Sequence, residues 1–294
     1  MKNNSTQFPK VIVIGGGFGG IQIAKKLKNK EVDVLMLDRH NYHTFQPLLY
    51  QVATGGLEPD SIAFPLRKVF KHQKNFNFRV ADVQHINTTK NSVTTDIGEF
   101  EYDYLVLATG SETNFFGQKE IEHYAMPMKT VPEALNIRSL ILQNFEEALI
   151  ENDPIKKNAL MTFVVVGAGP TGVETAGALA ELKNHVLVND YPELNIDNMK
   201  IYLVEGSERV LEPFSLQASA KAKQFLENMG VQVIENARVN HYDGEKVTYN
   251  TTEVIHTKGV IWSAGVKGAT IPGLDKAEIV RGGRIKTTNY YKVN

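Results

Sequence analysis

Short apolar runs of strand-forming residues alternate along this chain with stretches of helical spacing, and glycine-rich turns mark the changeovers. Val11–Ile14 predicts a buried strand, Gly20–Leu27 a helix, and Val34–Leu37 a second strand closing on Asp38. Tyr104–Ala108 predicts a further strand, which closes on the turn Ala108, Thr109, Gly110. Between these, residues 76–101 alternate in short polar and apolar pieces, the pattern of an antiparallel excursion. The first third is expected to form one α/β unit with a β insertion.

The second half repeats this order. Phe163–Val166 predicts the strand, Thr171–Leu182 the helix, Lys200–Val204 a next strand ending on Glu205, and Gly259–Trp262 a later strand closing on Ser263, Ala264 and Gly265. From first to closing glycine there are about 95 positions in one copy and about 98 in the other. Self-similarity on that scale points to internal duplication of a nucleotide-binding unit. Val131–Ile150, with apolar positions at helical spacing, predicts a helix joining the copies. The expected fold is α/β, with two Rossmann-like dinucleotide-binding domains, each with a β excursion. The expected boundaries are residues 1–120, with 266–294 returning to them, and residues 121–265.

In the first copy Gly15, Gly17 and Gly20 form G-x-G-x-x-G between strand and helix. The first glycine permits the tight turn, the second lets backbone approach a pyrophosphate, and the third lets the helix lie close on the strand. The helix N-terminus then offers free N–H groups and partial positive charge to phosphate. A glycine-rich turn alone can be no more than a packing solution. Here Asp38 stands 23 positions past Gly15, at the end of the next strand, where a carboxylate accepts hydrogen bonds from a ribose. The second copy has Gly167, Gly169 and Gly172, with Glu205 at its own strand end after the longer stretch Lys183–Asn198. A carboxylate there would bind ribose hydroxyls and repel a 2′-phosphate, so NADH is expected over NADPH; Arg209, pointed inward, would soften that choice. Two such sites suit a flavin that stays and a nicotinamide that exchanges, set for hydride transfer.

Composition narrows the chemistry further. The 294 residues, 42% hydrophobic and 22% charged, suit about two domains. Lys plus Arg (32) nearly balances Asp plus Glu (33), so nucleic acid is not an expected partner. With no cysteine, the chain offers no disulfide, thiolate metal site or iron–sulfur ligand, and redox work falls to a bound organic cofactor. The polar first ten residues lack the pattern of a signal peptide, and no apolar run reaches the roughly 20 residues of a spanning helix. The stretch Phe64–Phe76 mixes aromatic and basic residues and reads either as a membrane-surface helix or, more simply, as a surface helix packing Leu66, Val69 and Phe70 inward.

The turns GGGFGG and GAGPTGVE, with ATG and SAG in that order, resemble the two-dinucleotide flavoprotein reductases. Within that superfamily, DRHNYHTFQPLLYQVATGGL from Asp38, MPMKTVPEALNIRSLILQNFEEA from Met126 and VIWSAGV from Val260 resemble the type II NADH dehydrogenases, single-subunit NADH:quinone oxidoreductases that pump no protons. The resemblance implies FAD on Gly15, Gly17, Gly20 and Asp38, with Thr109 and Gly110 closing that pocket. It implies NADH on Gly167, Gly169, Gly172 and Glu205, with Ala264 and Gly265 beside it. Glu174 matches the family's glutamate near the two reactive rings; a carboxylate in the first helical turn also gains about 0.3–1 kcal/mol from the helix dipole, which by itself would explain it. Pro47, Tyr50 and Gln51 match the segment shaping the far face of the flavin and the quinone approach. Glu174 and Gln51 are therefore the catalytic candidates. His40 and His43 are spaced like metal ligands, but a ribose already claims Asp38, so no metal is expected.

Members of that family continue past TTNYYKVN with a strand ending in Gly-Asp, a quinone-lining segment and an amphipathic membrane anchor, so the chain reads as truncated. The expected activity is hydride transfer from NADH to FAD and then two electrons to a membrane quinone. The expected setting is the cytoplasmic face of the membrane, contacted through the absent C-terminal region, with a homodimer as one assembly. The alternatives are a reductase of a carrier protein such as ferredoxin and a non-catalytic NADH-binding module.

Overall fold

Alternate residues of β1 (Lys10–Ile14) bury themselves on opposite faces of one sheet, as a strand covered on both sides requires. Val11 and Val13 pack with Ile21 and Ala24 of α1 (Phe18–Lys26), with Val34 and Met36 of β2 (Asp33–Asp38), and with Leu66, Phe70 and Phe78. Ile12 and Ile14 pack on the other side with Leu37, Ala81, Ile86 and Val93. The computed structural model describes residues 8–274 and 279–293. The chain divides into two compact units: residues to Thr44, Ala63–Glu112 and those from Val266 in one, Phe45–Ile62 and Thr113–Gly265 in the other. Residues 275–278 and 294 of the expected returning segment lie outside the described residues.

In the first unit β2 leads to β3 (Tyr42–Thr44), and the chain then runs through a segment carrying α2 (Leu49–Ala53), which belongs to the second unit. It returns as β4 (Ala63–Pro65), antiparallel to β3, followed by α3 (Leu66–Val69). The basic-aromatic stretch thus holds only a four-residue helix, with Leu66 and Phe70 buried in the sheet core and Phe64 exposed. Next come β5 (Phe76–Val80), the antiparallel meander β6 (Val83–Asn87), β7 (Ser92–Thr95) and β8 (Gly98–Glu101), and finally β9 (Tyr104–Leu107). The parallel sheet runs β5-β2-β1-β9. The expected excursion therefore starts later than its pattern suggests: β5 pairs in parallel with β2, from Val34 opposite Phe76 to Asp38 opposite Val80. As the sheet edge, β5 exposes Asn77 and Arg79 while burying Phe78, and that half-buried alternation imitates an antiparallel strand.

From β10 (Ser111–Thr113) the chain enters the second unit through α4 (Lys119–Tyr124), β11 (Met126–Pro127) and α5 (Val131–Ile150). A reciprocal capping box fixes the start of α5, the Thr130 side chain accepting from Glu133 N and the Glu133 carboxylate from Thr130 N. Then follow α6 (Pro154–Leu160), β12 (Thr162–Val166), α7 (Pro170–Leu182), the short α8 (Val188–Asp190), β13 (Lys200–Val204), α9 (Leu216–Asn228) and β14 (Val231–Ile234). A second meander, β15 (Val239–Tyr242), β16 (Lys246–Tyr249) and β17 (Glu253–His256), precedes β18 (Gly259–Trp262). The parallel sheet runs β11-β18-β12-β13-β14. Val164, Val166, Val204, Val260 and Trp262 pack against Val239, Tyr242 and Val247 of the meander. The fold is the expected α/β pair of Rossmann-like cores, each with its β meander. Among the described residues, no helix is long and apolar enough to cross a membrane.

Candidate functional sites at two glycine turns

The glycine turns lie where β1 gives way to α1 and where β12 gives way to α7. Gly15 has φ +104°, open to glycine without strain, and a Cβ there would lie 2.2 Å from Ala108 O. A Cβ at Gly20 would lie 1.8 Å from Gly15 O, so helix and turn touch backbone to backbone. Gly17, between them, has nothing within 4 Å of its Cβ position. Asp38 sits at the end of β2 and accepts from Gly16 N at 2.5 Å and from His40 N at 2.7 Å. His43 Nδ1 lies 3.1 Å from Gly16 O, and its ring meets Phe18 edge-on. Thr109 Oγ1 donates to Ala269 O at 2.6 Å and Gly110 O accepts from Ala269 N at 3.1 Å, so this pair ties down the returning chain.

The second turn is built alike. Gly167 has φ +95°, with Ala264 Cα 2.5 Å from its Cβ position; Gly172 would collide with Gly167 O at 1.8 Å; Gly169 again faces open space. Glu205, at the end of β13, accepts from Ala168 N at 2.5 Å and from Ser207 N at 2.8 Å. Leu211 N donates to Ala168 O at 2.8 Å. Ser263 Oγ donates to the Val166 and Gly167 carbonyls at 2.9 Å each, joining the closing turn at Ala264 and Gly265 to the glycine turn. The Arg209 guanidinium is engaged by its own loop and the following helix, donating to Phe214 O, Glu212 O and Ser219 Oγ.

Glu174 is the fifth residue of α7, one place past the first turn, where the pull of the helix end has weakened. Its carboxylate is exposed and has no hydrogen-bond partner among the described residues; the protein around it withdraws enough solvent to raise its pKa above the ordinary glutamate value. Gln51 is half-buried on α2 and donates from Nε2 to Tyr50 Oη at 3.1 Å. The helix α2 packs on α5 and on α7, so the segment holding Pro47, Tyr50 and Gln51 shares a unit with Glu174. Gln46 and Lys129 meet at its entry, Gln46 Nε2 donating to Lys129 O at 3.3 Å.

Comparison with known proteins agrees with this geometry. The pyridine nucleotide-disulphide oxidoreductase family matches residues 9–294. This chain belongs to that family. Among curated relatives, the type II NADH:quinone oxidoreductases Ndh and NdhA of Mycobacterium tuberculosis are 35% and 36% identical over 289 residues, covering 94% of this chain and 62% of each relative. The solved structure of NDH2 from Plasmodium falciparum in complex with NADH superposes with a TM-score of 0.84 at 26% identity, over 90% of this chain and 56% of that one. The chain therefore spans about three-fifths of the length of these relatives.

The residues fit the dinucleotides this family binds. Gly17 and Gly169 leave the approach to each helix N-terminus open, where any side chain would intrude. Each acid spends one lone pair per oxygen on its own turn, and an ionised carboxylate has about four in all, which leaves acceptors for ribose hydroxyls. Sequence reading did not find His43 or Leu211 as members of these turns, nor Ser219 as the partner of Arg209. Leu211 acts through its backbone at φ +49°, and no side-chain motif reports that. His43 carried a visible signal, its closeness to Asp38, and its ring nitrogen meets a turn carbonyl.

Proposed function

We propose that the chain is the two-nucleotide portion of a type II NADH:quinone oxidoreductase. The observation that carries this reading is the twinned, acid-held glycine turn in a chain of this family that has no cysteine, so no dithiol of its own can accept electrons. The curated relatives named for that activity support it. Gly15, Gly17, Gly20 and Asp38, closed by Thr109 and Gly110, would hold FAD. Gly167, Gly169, Gly172 and Glu205, beside Ala264 and Gly265, would hold NADH. FAD, when bound, supplies the two-electron carrier between NADH and the quinone.

The chain's own contribution is to hold and to orient. The two helix N-termini would present backbone N–H groups to the pyrophosphates, and the two carboxylates would accept from the riboses. Glu205 meets a 2′-hydroxyl as an acceptor and a 2′-phosphate as a like charge, which favours NADH. Glu174, with a raised proton affinity and no hydrogen-bond partner among the described residues, is suited to hold or release a proton. Gln51 and Tyr50 offer polar groups beside the apolar Leu49 and Val52 for orienting a quinone carbonyl. The reading includes the cytoplasmic membrane face as the place of work and a homodimer as the assembly.

Anaerobic addition of NADH to the purified, FAD-loaded chain tests this directly. Flavin absorbance should bleach and return when a soluble quinone is added. Colour returning only with a carrier protein would assign the activity to that class of reductase, and NADH binding without any flavin uptake would leave a nicotinamide-binding module.

A further inference from the structure

Arg209 lies four residues past Glu205, on the loop between β13 and α9, where a cation turned toward the ribose would meet a 2′-phosphate. The fold instead ties its guanidinium to the loop and to α9. Nη1 donates to Phe214 O at 3.0 Å and to Ser219 Oγ at 2.8 Å, and Nη2 donates to Glu212 O. Ser219 is buried in the first turns of α9, and its hydroxyl donates in turn to Val210 O. The planar fork thus joins a helix to the loop at three acceptors, a task for which a single ammonium lacks the geometry.

The same loop touches the nucleotide cradle itself. Val210 N donates to Glu235 Oε1 at 3.1 Å, and Glu235 holds Lys223 of α9 at 2.6 Å. One residue on, Leu211 N reaches Ala168 O of the glycine turn. Residues 209, 210 and 211 therefore anchor, in succession, to α9, to the end of β14 and to the turn. Whatever fixes Arg209 also fixes the amide that clamps Ala168.

We propose that Arg209 and Ser219 form a positioning pair for cofactor selectivity, withholding the guanidinium from the ribose end while holding Leu211 on the glycine turn. This rests on the reading of the Glu205 turn as the NADH site. Arg209 is then a cation kept out of the site, and Ser219 is the buried acceptor that keeps it out.

Calorimetric titration of the purified chain with NADH and with NADPH tests the pair. Arg209→Ala should weaken both nucleotides by a common factor of about five, leaving their ratio unmoved, because only the loop anchor is lost. Ser219→Ala should shift the ratio about fivefold toward NADPH, and the double variant should lose that shift, since it needs a released guanidinium. Arg209→Lys keeps the charge without the fork and should move the ratio the same way, which guards against a poorly folding Ser219 variant. Selective loss of NADPH binding in Arg209→Ala would mean that the guanidinium already reaches the phosphate, and would overturn the assignment. Unmoved ratios in both Ser219→Ala and Arg209→Lys would overturn it too. A wild-type chain that binds neither nucleotide sinks the NADH-site reading with it; a wild-type chain that binds NADH beside unmoved variant ratios sinks the positioning pair alone.

Discussion

The two glycine turns solve one problem with different parts. In each, the residue between the first two glycines is held at both its N–H and its C=O. Gly16 gives its N–H to Asp38 and has the His43 imidazole at its carbonyl; Ala168 gives its N–H to Glu205 and receives the Leu211 amide at its carbonyl. One clamp is a side chain and the other is backbone. The identity of the clamped residue also follows from its neighbours: a Cβ at Gly16 would sit 2.6 Å from Leu66 Cδ1, whereas position 168 accommodates alanine, itself buried. The difference teaches that the duplication preserves the hydrogen bonds that shape the glycine turn and leaves free the chemical means of making them.

The largest test strikes both copies alike. Gly20→Ala and Gly172→Ala each drive a Cβ to 1.8 Å from a backbone carbonyl, and each should cost more than about 3 kcal/mol, seen as a marked fall in thermal midpoint. A mild effect at one site alone would break the equivalence. Gly17→Ala and Gly169→Ala separate the copies: with open space and φ of −75° and −70°, stability should change by no more than about 0.5 kcal/mol. Each should instead weaken its own nucleotide about tenfold, FAD for the first and NADH for the second, measured by titration. Loss of both ligands from either variant would show that the sites are not independent.

A smaller effect distinguishes the clamps. His43→Ala should loosen the first turn by about 1 kcal/mol, the worth of one hydrogen bond, whereas Leu211→Gly keeps its amide, relieves a left-handed backbone and should leave the second turn in place. Hydrogen exchange at Gly16 and Ala168 measures both. The subtlest test concerns the helices that follow the two turns: Gln22 on α1 occupies the place that Glu174 holds on α7, seven residues past the first glycine of each turn. Because surrounding protein raises the Glu174 pKa, the carboxyl takes up its proton at a higher pH than an ordinary glutamate as pH falls. The NADH-dependent rate should show an acid limb above the usual glutamate range, and Glu174→Gln, which gives the second copy the residue of the first, should flatten it.

Much of this architecture is legible in the chain itself. A continuous run of apolar β-formers such as Phe163–Val166, bounded by a glycine turn, suits a strand covered on both faces, and three glycines at fixed spacing before a helix point to a nucleotide turn once an acid stands at the end of the next strand. The start of the first meander is misleading because β5 is an edge strand, half-buried like an antiparallel one. The segment Phe45–Ile62 gives no local sign that it packs in the second unit, since that depends on α5 and α7, far along the chain.

Residue type and spacing determined the duplicated strands, the three glycine roles and the two acids, because steric freedom at a turn and charge at a strand end are properties of individual residues. Tertiary structure alone decided which groups complete each clamp and which way Arg209 faces. Those outcomes depend on backbone amides, carbonyls and a buried hydroxyl brought together by folding, and every residue but proline carries the same amide, so the sequence does not single out the one that will be used.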